Sequence, residues 1–230
     1  STELSGVSAS SLALTSAGAI TDSGVLDIGG AASFTTTAAN GNVELNQASD
    51  VDGILSVTTD GTGSTSVTNL TDSIDLGTIS TASLTIGSSG AITDADDASL
   101  TVTNLADLTG TSITLGDHAS TDTVNAGTLT FNSVGAVAIS ENSATGLAGT
   151  STALSLDLDS TGAIGQQTGT VTVTGDASFA TGAHAITLGE ANDFQGAVSL
   201  SNSEANDVTI KDQNDLDLGT VFVGQNLAVT

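Results

Sequence analysis

One phrase returns on a fixed period. Gly18-Ala19-Ile20 comes back as Gly90-Ala91-Ile92 and as Gly162-Ala163-Ile164, 72 residues apart each time. Leu76-Gly77-Thr78 answers Leu218-Gly219-Thr220, with a looser Leu147-Ala148-Gly149-Thr150 between them, and Val43-Glu44-Leu45, Ile113-Thr114-Leu115 and Ile186-Thr187-Leu188 also correspond. Self-similarity of this kind marks a stacked array. It points to a scaffold, stalk or extended surface and weighs against a unique catalytic pocket. Residues 1–230 read as one array, divided roughly into super-repeats 9–80, 81–152 and 153–230, and as an excerpt of something longer.

Within the long repeat the local period is two. Leu12-Ala13-Leu14, Leu26-Asp27-Ile28, Leu84-Thr85-Ile86, Leu100-Thr101-Val102, Leu156-Asp157-Leu158, Val171-Thr172-Val173 and Val208-Thr209-Ile210 are among many apolar-x-apolar triplets. Their middle residue is usually Thr, Ser or Asp, the alternation of a short strand with one face inward and one in water. Asn40-Gly41, Asp52-Gly53, Asp60-Gly61 and Gly175-Asp176 punctuate the gaps, and such residues tolerate tight or left-handed corners. No helical spacing is sustained. The expected fold is all-β: a right-handed parallel β-solenoid with about 20 residues per coil. About eleven coils at the ~4.8 Å strand spacing would form a rod about 50–55 Å long.

Composition supports a narrow, regular core. The chain has no Pro, Cys, Met, Trp or Tyr, and aromatics make up 2%. A core without large rings or Met must be filled in layers by Val, Ile, Leu and Ala. A hydrophobic share of 38%, spaced in order, argues against disorder. Lys211 is the single basic residue among 26 Asp and Glu, a formal charge of −25. That excludes phosphate-neutralising nucleic-acid binding and attraction to anionic membrane surfaces, and no apolar run is long enough to insert. It favours attraction of cations.

The phrases Leu14-Thr15-Ser16-Ala17-Gly18-Ala19-Ile20-Thr21-Asp22-Ser23-Gly24 and Ala191-Asn192-Asp193-Phe194-Gln195-Gly196-Ala197-Val198 carry a resemblance over nearly the whole chain. It resembles the repetitive β-helical shaft of large bacterial surface proteins of the filamentous haemagglutinin-like adhesin type. The resemblance implies secretion, attachment to a bacterial cell surface, and a part in adhesion, biofilm or envelope filaments. It also implies self-association or end-to-end continuation with further repeats, and a glycan or cell-surface receptor as partner. A segment that binds such a ligand directly is the alternative to a purely structural shaft.

Candidate chemistry is sparse. Asp94, Asp96 and Asp97 cluster at one corner, Asp50 and Asp52 precede Gly53, and Asp212, Asn214, Asp215 and Asp217 cluster near the end. Calcium takes six to eight oxygens, which Asp side chains and turn carbonyls supply. Ordinary solvated turn aspartates are the other reading, and no cofactor is required by either. Asp157 and Asp159 share one side of a strand at a spacing open to glycoside hydrolysis, yet no Arg, Trp or Tyr is present to hold a sugar, so no enzyme is expected. His118 and His184 occupy non-equivalent positions and read as surface loop residues. Thr170-Val171-Thr172-Val173-Thr174 reads as exposed strand threonines rather than an ice-binding rank. Phe34, Phe131, Phe179 and Phe194 read as packing residues. Phe222, in the middle of Val221-Phe222-Val223, points outward and is the candidate contact to a neighbouring subunit. Lys211 is a candidate partner for Asp212 or Asp215, and Asn69-Leu70-Thr71 is a formal glycosylation sequon.

Overall fold

The computed structural model describes residues 1–69, 72–118 and 121–230; the sequon runs into residues outside these. The chain is an all-β solenoid, without helix among the described residues, of about 11 coils with a spacing of about 21 residues. Its strand pairs, among the described residues, are parallel and join in one continuous sheet. The alternation read from the triplets sets the two faces. In Ser155–Ser160, Leu156 and Leu158 are buried while Asp157 and Asp159 face water.

Stacking places like on like. Ile92 pairs with Ile113, and the same column continues through Val137, Leu156, Ala177 and Val198. A second column runs Ile20, Val43, Thr65, Leu84, Ala106 and Leu129. A third runs Ile164, Ile186, Val208 and Leu227. The three Gly-Ala-Ile phrases therefore fall on three different columns. Three coils of about 21 residues leave about 9 of the 72 over, so each return advances part of a turn around the rod. The rings fill the core: Phe34 lies between Leu14 and Val57, and Phe179 between Leu158 and Leu200. Phe179 also meets Phe194 edge to face, ring centroids 5.8 Å apart.

The repeated phrase has a local cause. Each Gly-Ala-Ile is preceded by an inward Ser two residues before the Gly, and that Ser Oγ accepts the Gly N–H: Ser16 from Gly18 (3.3 Å), Ser88 from Gly90 (3.1 Å), Ser160 from Gly162 (3.2 Å). Ser133-Val134-Gly135 repeats the device at 3.0 Å. The hydroxyl accepts an N–H at the corner, shared at Gly162 with the Ser143 carbonyl at 3.1 Å. The glycine is required by the coil before it: a Cβ on Gly162 would stand 2.7 Å from the N and Cα of Ala144, and one on Gly90 2.5 Å from the Ser73 N. Inward threonines serve other corners. Thr59 donates to the Gly63 carbonyl at 2.7 Å and Thr81 to the same carbonyl at 3.0 Å.

A buried amide locks a further corner. Asn192 is fully buried; its Oδ1 accepts from Gln166 Nε2 (2.7 Å) and the Val171 N–H (2.9 Å), while its Nδ2 donates to Gln166 Oε1 (3.0 Å) and the Lys211 carbonyl (3.2 Å). Asn192 thus ties together three consecutive coils. Replacing it with alanine leaves buried partners unmatched and is expected to cost about 1–3 kcal/mol, read as a lower denaturant midpoint for N192A with β-sheet content retained.

Candidate functional site

The strand Ile92–Gly110 carries the acidic corner. Its register with the preceding coil slips between Asp94 and Ser99, where Leu76 and Thr78 are the partners. The extra residues bulge outward, and Asp97 takes a left-handed φ of 64°. Asp96 and Asp97 are consequently exposed, whereas Asp94, in phase with Ile92, points inward and is 8% exposed. Asp94 Oδ2 accepts the Gly116 N–H at 2.8 Å, and its Oδ1 is buried without a hydrogen bond.

The next coil brings three residues to the same place. Asp122 is 3% exposed; its Oδ1 accepts the Ala98 N–H (3.1 Å) and its Oδ2 the His118 N–H (3.0 Å). The His118 ring lies among carboxylates: Nδ1 is 2.9 Å from Asp117 Oδ1 and 3.5 Å from Asp122 Oδ2, and Nε2 is 3.1 Å from Asp96 Oδ1. Asp94 and Asp96 are thus brought together with Asp117, His118 and Asp122, while Asp97 forms no part of the contact set. His118 is more than the isolated loop residue expected from its position. His184 is an exposed turn residue whose carbonyl accepts from Thr181 at 2.7 Å.

The electrostatics follow from this crowding. Burial pushes the Asp94 carboxyl up to about 6, the Gly116 N–H pulls it part of the way back, and the Asp122 and Asp117 charges push it further up. The charges of Asp96 and Asp117 raise the His118 imidazole. Stability then has a definite pH dependence. A carboxyl raised in the folded state costs nothing below its unfolded value of 3.8, and its penalty grows as pH climbs to about 6. A raised histidine contributes stability below its unfolded value that is lost as pH rises through its folded value. Both act in one direction. The melting temperature should therefore rise by several degrees on acidification from neutral to about pH 5; thermal denaturation in matched ionic strength checks this, and a fall over that range contradicts it.

Asp212, Asp215 and Asp217 are not gathered in the same way. Asp212 Oδ1 accepts the Phe194 N–H at 3.1 Å and its Oδ2 is buried without a partner, while Asp215 and Asp217 stand exposed. Lys211 is exposed and forms no ion pair among the described residues. Phe222 does face outward, at 67% exposure, on the last coils, with Leu218, Leu227 and Val229 also exposed nearby in sequence.

A groove of about 400 Å³ runs along the rod next to the acidic corner. It crosses successive coils at Gly116, Ser140, Asp159 and Ala180, and three carboxyl residues, Asp122, Glu141 and Asp159, line it. Glu141 is 2% exposed, with Oε1 accepting the Ala126 N–H at 2.5 Å and Oε2 lacking a hydrogen bond of ordinary geometry. Burial raises its carboxyl against the pull of the nearby Thr145 hydroxyl, the Ala126 N–H and the Ser143 hydroxyl. Asp159 is raised by burial and by Asp157 beside it. Glu141 and Asp122 were missed as candidates, although Glu141 keeps the inward phase of Val137 and Ile139 and was open to detection on that ground.

The family described as "Repeats of unknown function (DUF5649)" matches residues 1–58 and 134–201. No curated protein and no solved structure matches the chain.

Proposed function

The chain belongs to the family of DUF5649 repeats, and on that premise we propose that it is a structural segment, the shaft or fibre body of a bacterial surface filament. The observation that carries this reading is the continuity of the stacked columns. Ile92 to Val198 runs coil upon coil without an inserted domain, so the fold supplies length and stiffness, and stability accrues coil by coil. A surface with one basic residue against 26 acidic ones keeps neighbouring rods apart or lets cations bridge them. Extracellular location on a bacterium is supported by the resemblance to haemagglutinin-like shafts and accords with a chain independent of cysteine redox state. In this reading the segment is no enzyme, requires no cofactor, and continues end to end with further repeats or copies.

Phe222, at an outward position and 67% exposed, is the candidate contact to a neighbouring copy in this reading. Phe222→Ser is expected to leave the melting temperature within about a degree, since exposed positions contribute little, and to weaken self-association in sedimentation velocity. Unchanged association would remove Phe222 from the contact.

A second reading, direct binding of a glycan or cell-surface ligand, is favoured by one feature, the groove lined by Asp122, Glu141 and Asp159. Electron microscopy of the native material, with and without a chelator, separates the readings. Continuous fibres of fixed axial repeat support the shaft, and fibres that fall apart on chelation make cations their bridge. Isolated short particles that coat a glycan surface would favour the second reading.

A further inference from the structure

We propose that the corner formed by Asp117, His118 and Asp122, with Asp94 of the preceding coil behind it, binds a divalent cation of the zinc class. The Asp117 and Asp122 carboxylates and the His118 ring each offer a ligand atom, all within 4.8 Å of one another. The orientation of the imidazole selects the liganding nitrogen. Nε2 faces Asp96 Oδ1 at 3.1 Å, and a metal-bound ring would carry its proton there. That leaves the Nδ1 lone pair turned toward Asp117 Oδ1 and Asp122 Oδ2, at 2.9 and 3.5 Å. Three lone pairs facing one another require a cation between them, either a proton or a metal. An imidazole whose second nitrogen donates to a carboxylate is the arrangement that fixes a metal-binding ring, and Asp96 is that carboxylate here.

Asp94 supplies an independent sign. It is 8% exposed, its Oδ2 is already occupied by the Gly116 N–H, and its Oδ1 is buried with no donor. It reaches the corner through that Gly116 N–H, since Gly116 directly precedes Asp117. A buried carboxylate oxygen left unmatched beside two more carboxylates is costly in the absence of a cation. One imidazole nitrogen with carboxylate oxygens suits zinc, cobalt or nickel, whereas calcium takes an all-oxygen shell. Of Asp94, Asp96 and Asp97, read from sequence as one calcium candidate, the first two thus belong to a mixed nitrogen and oxygen site. The inference is independent of the shaft reading: either can fail alone.

The test is isothermal titration of the full chain with Zn²⁺ in physiological salt, with calcium in large excess to occupy the general acidic surface. One Zn²⁺ per chain is expected, with His118→Ala and Asp117→Asn each weakening it about tenfold or more. Both side chains are half exposed or more, so the variants should keep the parent's β-sheet content, and each is compared with its own metal-free melting temperature. Zn²⁺ should raise that temperature in the parent and not in H118A. Co²⁺ in place of Zn²⁺ should give visible d–d bands that H118A lacks. The proposal is overturned if binding is not saturable at one per chain, if H118A binds Zn²⁺ as the parent does, or if calcium displaces it.

Discussion

Phe179→Ala will destabilise the array by about 3–5 kcal/mol, the range for removing a fully buried ring. Phe179 has no exposure, lies between Leu158 and Leu200 in its column, and meets Phe194 edge to face at 5.8 Å and 78°. The rod cannot close up around the loss, because the backbone of each coil is held at ladder spacing by the coils on either side. A stacked chain also localises the damage, since each coil touches only its neighbours. Hydrogen exchange should therefore show fast amides in Ser155–Ser160, Ala177–Thr181 and Ala197–Ser201 while Ile20–Ile28 stays protected. A uniform loss of protection would mean that the rod unfolds as one unit.

Gly162→Val is the second large effect. The substitution sets a Cβ 2.7 Å from the Ala144 backbone N and Cα, atoms that move only if two coils part. Parting them breaks the Gly162 N–H bond to the Ser143 carbonyl (3.1 Å) and strains the Ser160 hydroxyl bonds to Ser143 and Gly162. Overpacking of this kind costs about 1–3 kcal/mol and more where backbone must move, so about 3 kcal/mol is expected. Gly182→Ala is the matched control, because a Cβ there meets nothing within 4 Å. It should be neutral or stabilising by up to about 1 kcal/mol through the unfolded chain. Denaturant midpoints measured side by side decide the matter, and equal losses for both variants would contradict the close-packed corner.

Much of the fold was legible because a solenoid writes its geometry locally. The triplets gave the strands, since inward and outward positions alternate at every residue, and Ile-Thr-Leu at 113–115 and 186–188 sits as expected with its Thr between two buried residues. The corners were legible where the residue type matches the backbone: Asn40 and Gly61 both have positive φ. They were illegible at Ala48 and Glu204, also at positive φ, because neither side chain favours that conformation. The Ser two residues before each repeated Gly was in plain view but carried no reading, as a short polar residue at a strand end looks like any exposed one. The candidate site was half legible. Asp94 was flagged by crowding with Asp96 and Asp97, yet its inward phase was the more telling sign. Asp117, His118 and Asp122 lie within six residues of one another, but they meet Asp94 and Asp96 only through stacking of one coil on the next, which spacing along the chain does not encode.

The register itself is open to direct measurement. The chain has no cysteine, so pairs of spin-labelled cysteines can be placed on one outward column: Asp75, Thr93, Thr114, Ala138, Asp157, Ser178 and Ser199. Pulsed electron-electron resonance on Thr93/Ser178, Thr93/Ser199 and Asp75/Ser199 reports separations of four, five and six coils. A parallel stack at roughly 4.8 Å per coil predicts backbone separations near 19, 24 and 29 Å, rising linearly with coil number. Distances that fail to grow with coil number, or that shorten for the widest pair, would contradict the stacked rod and the shaft built on it.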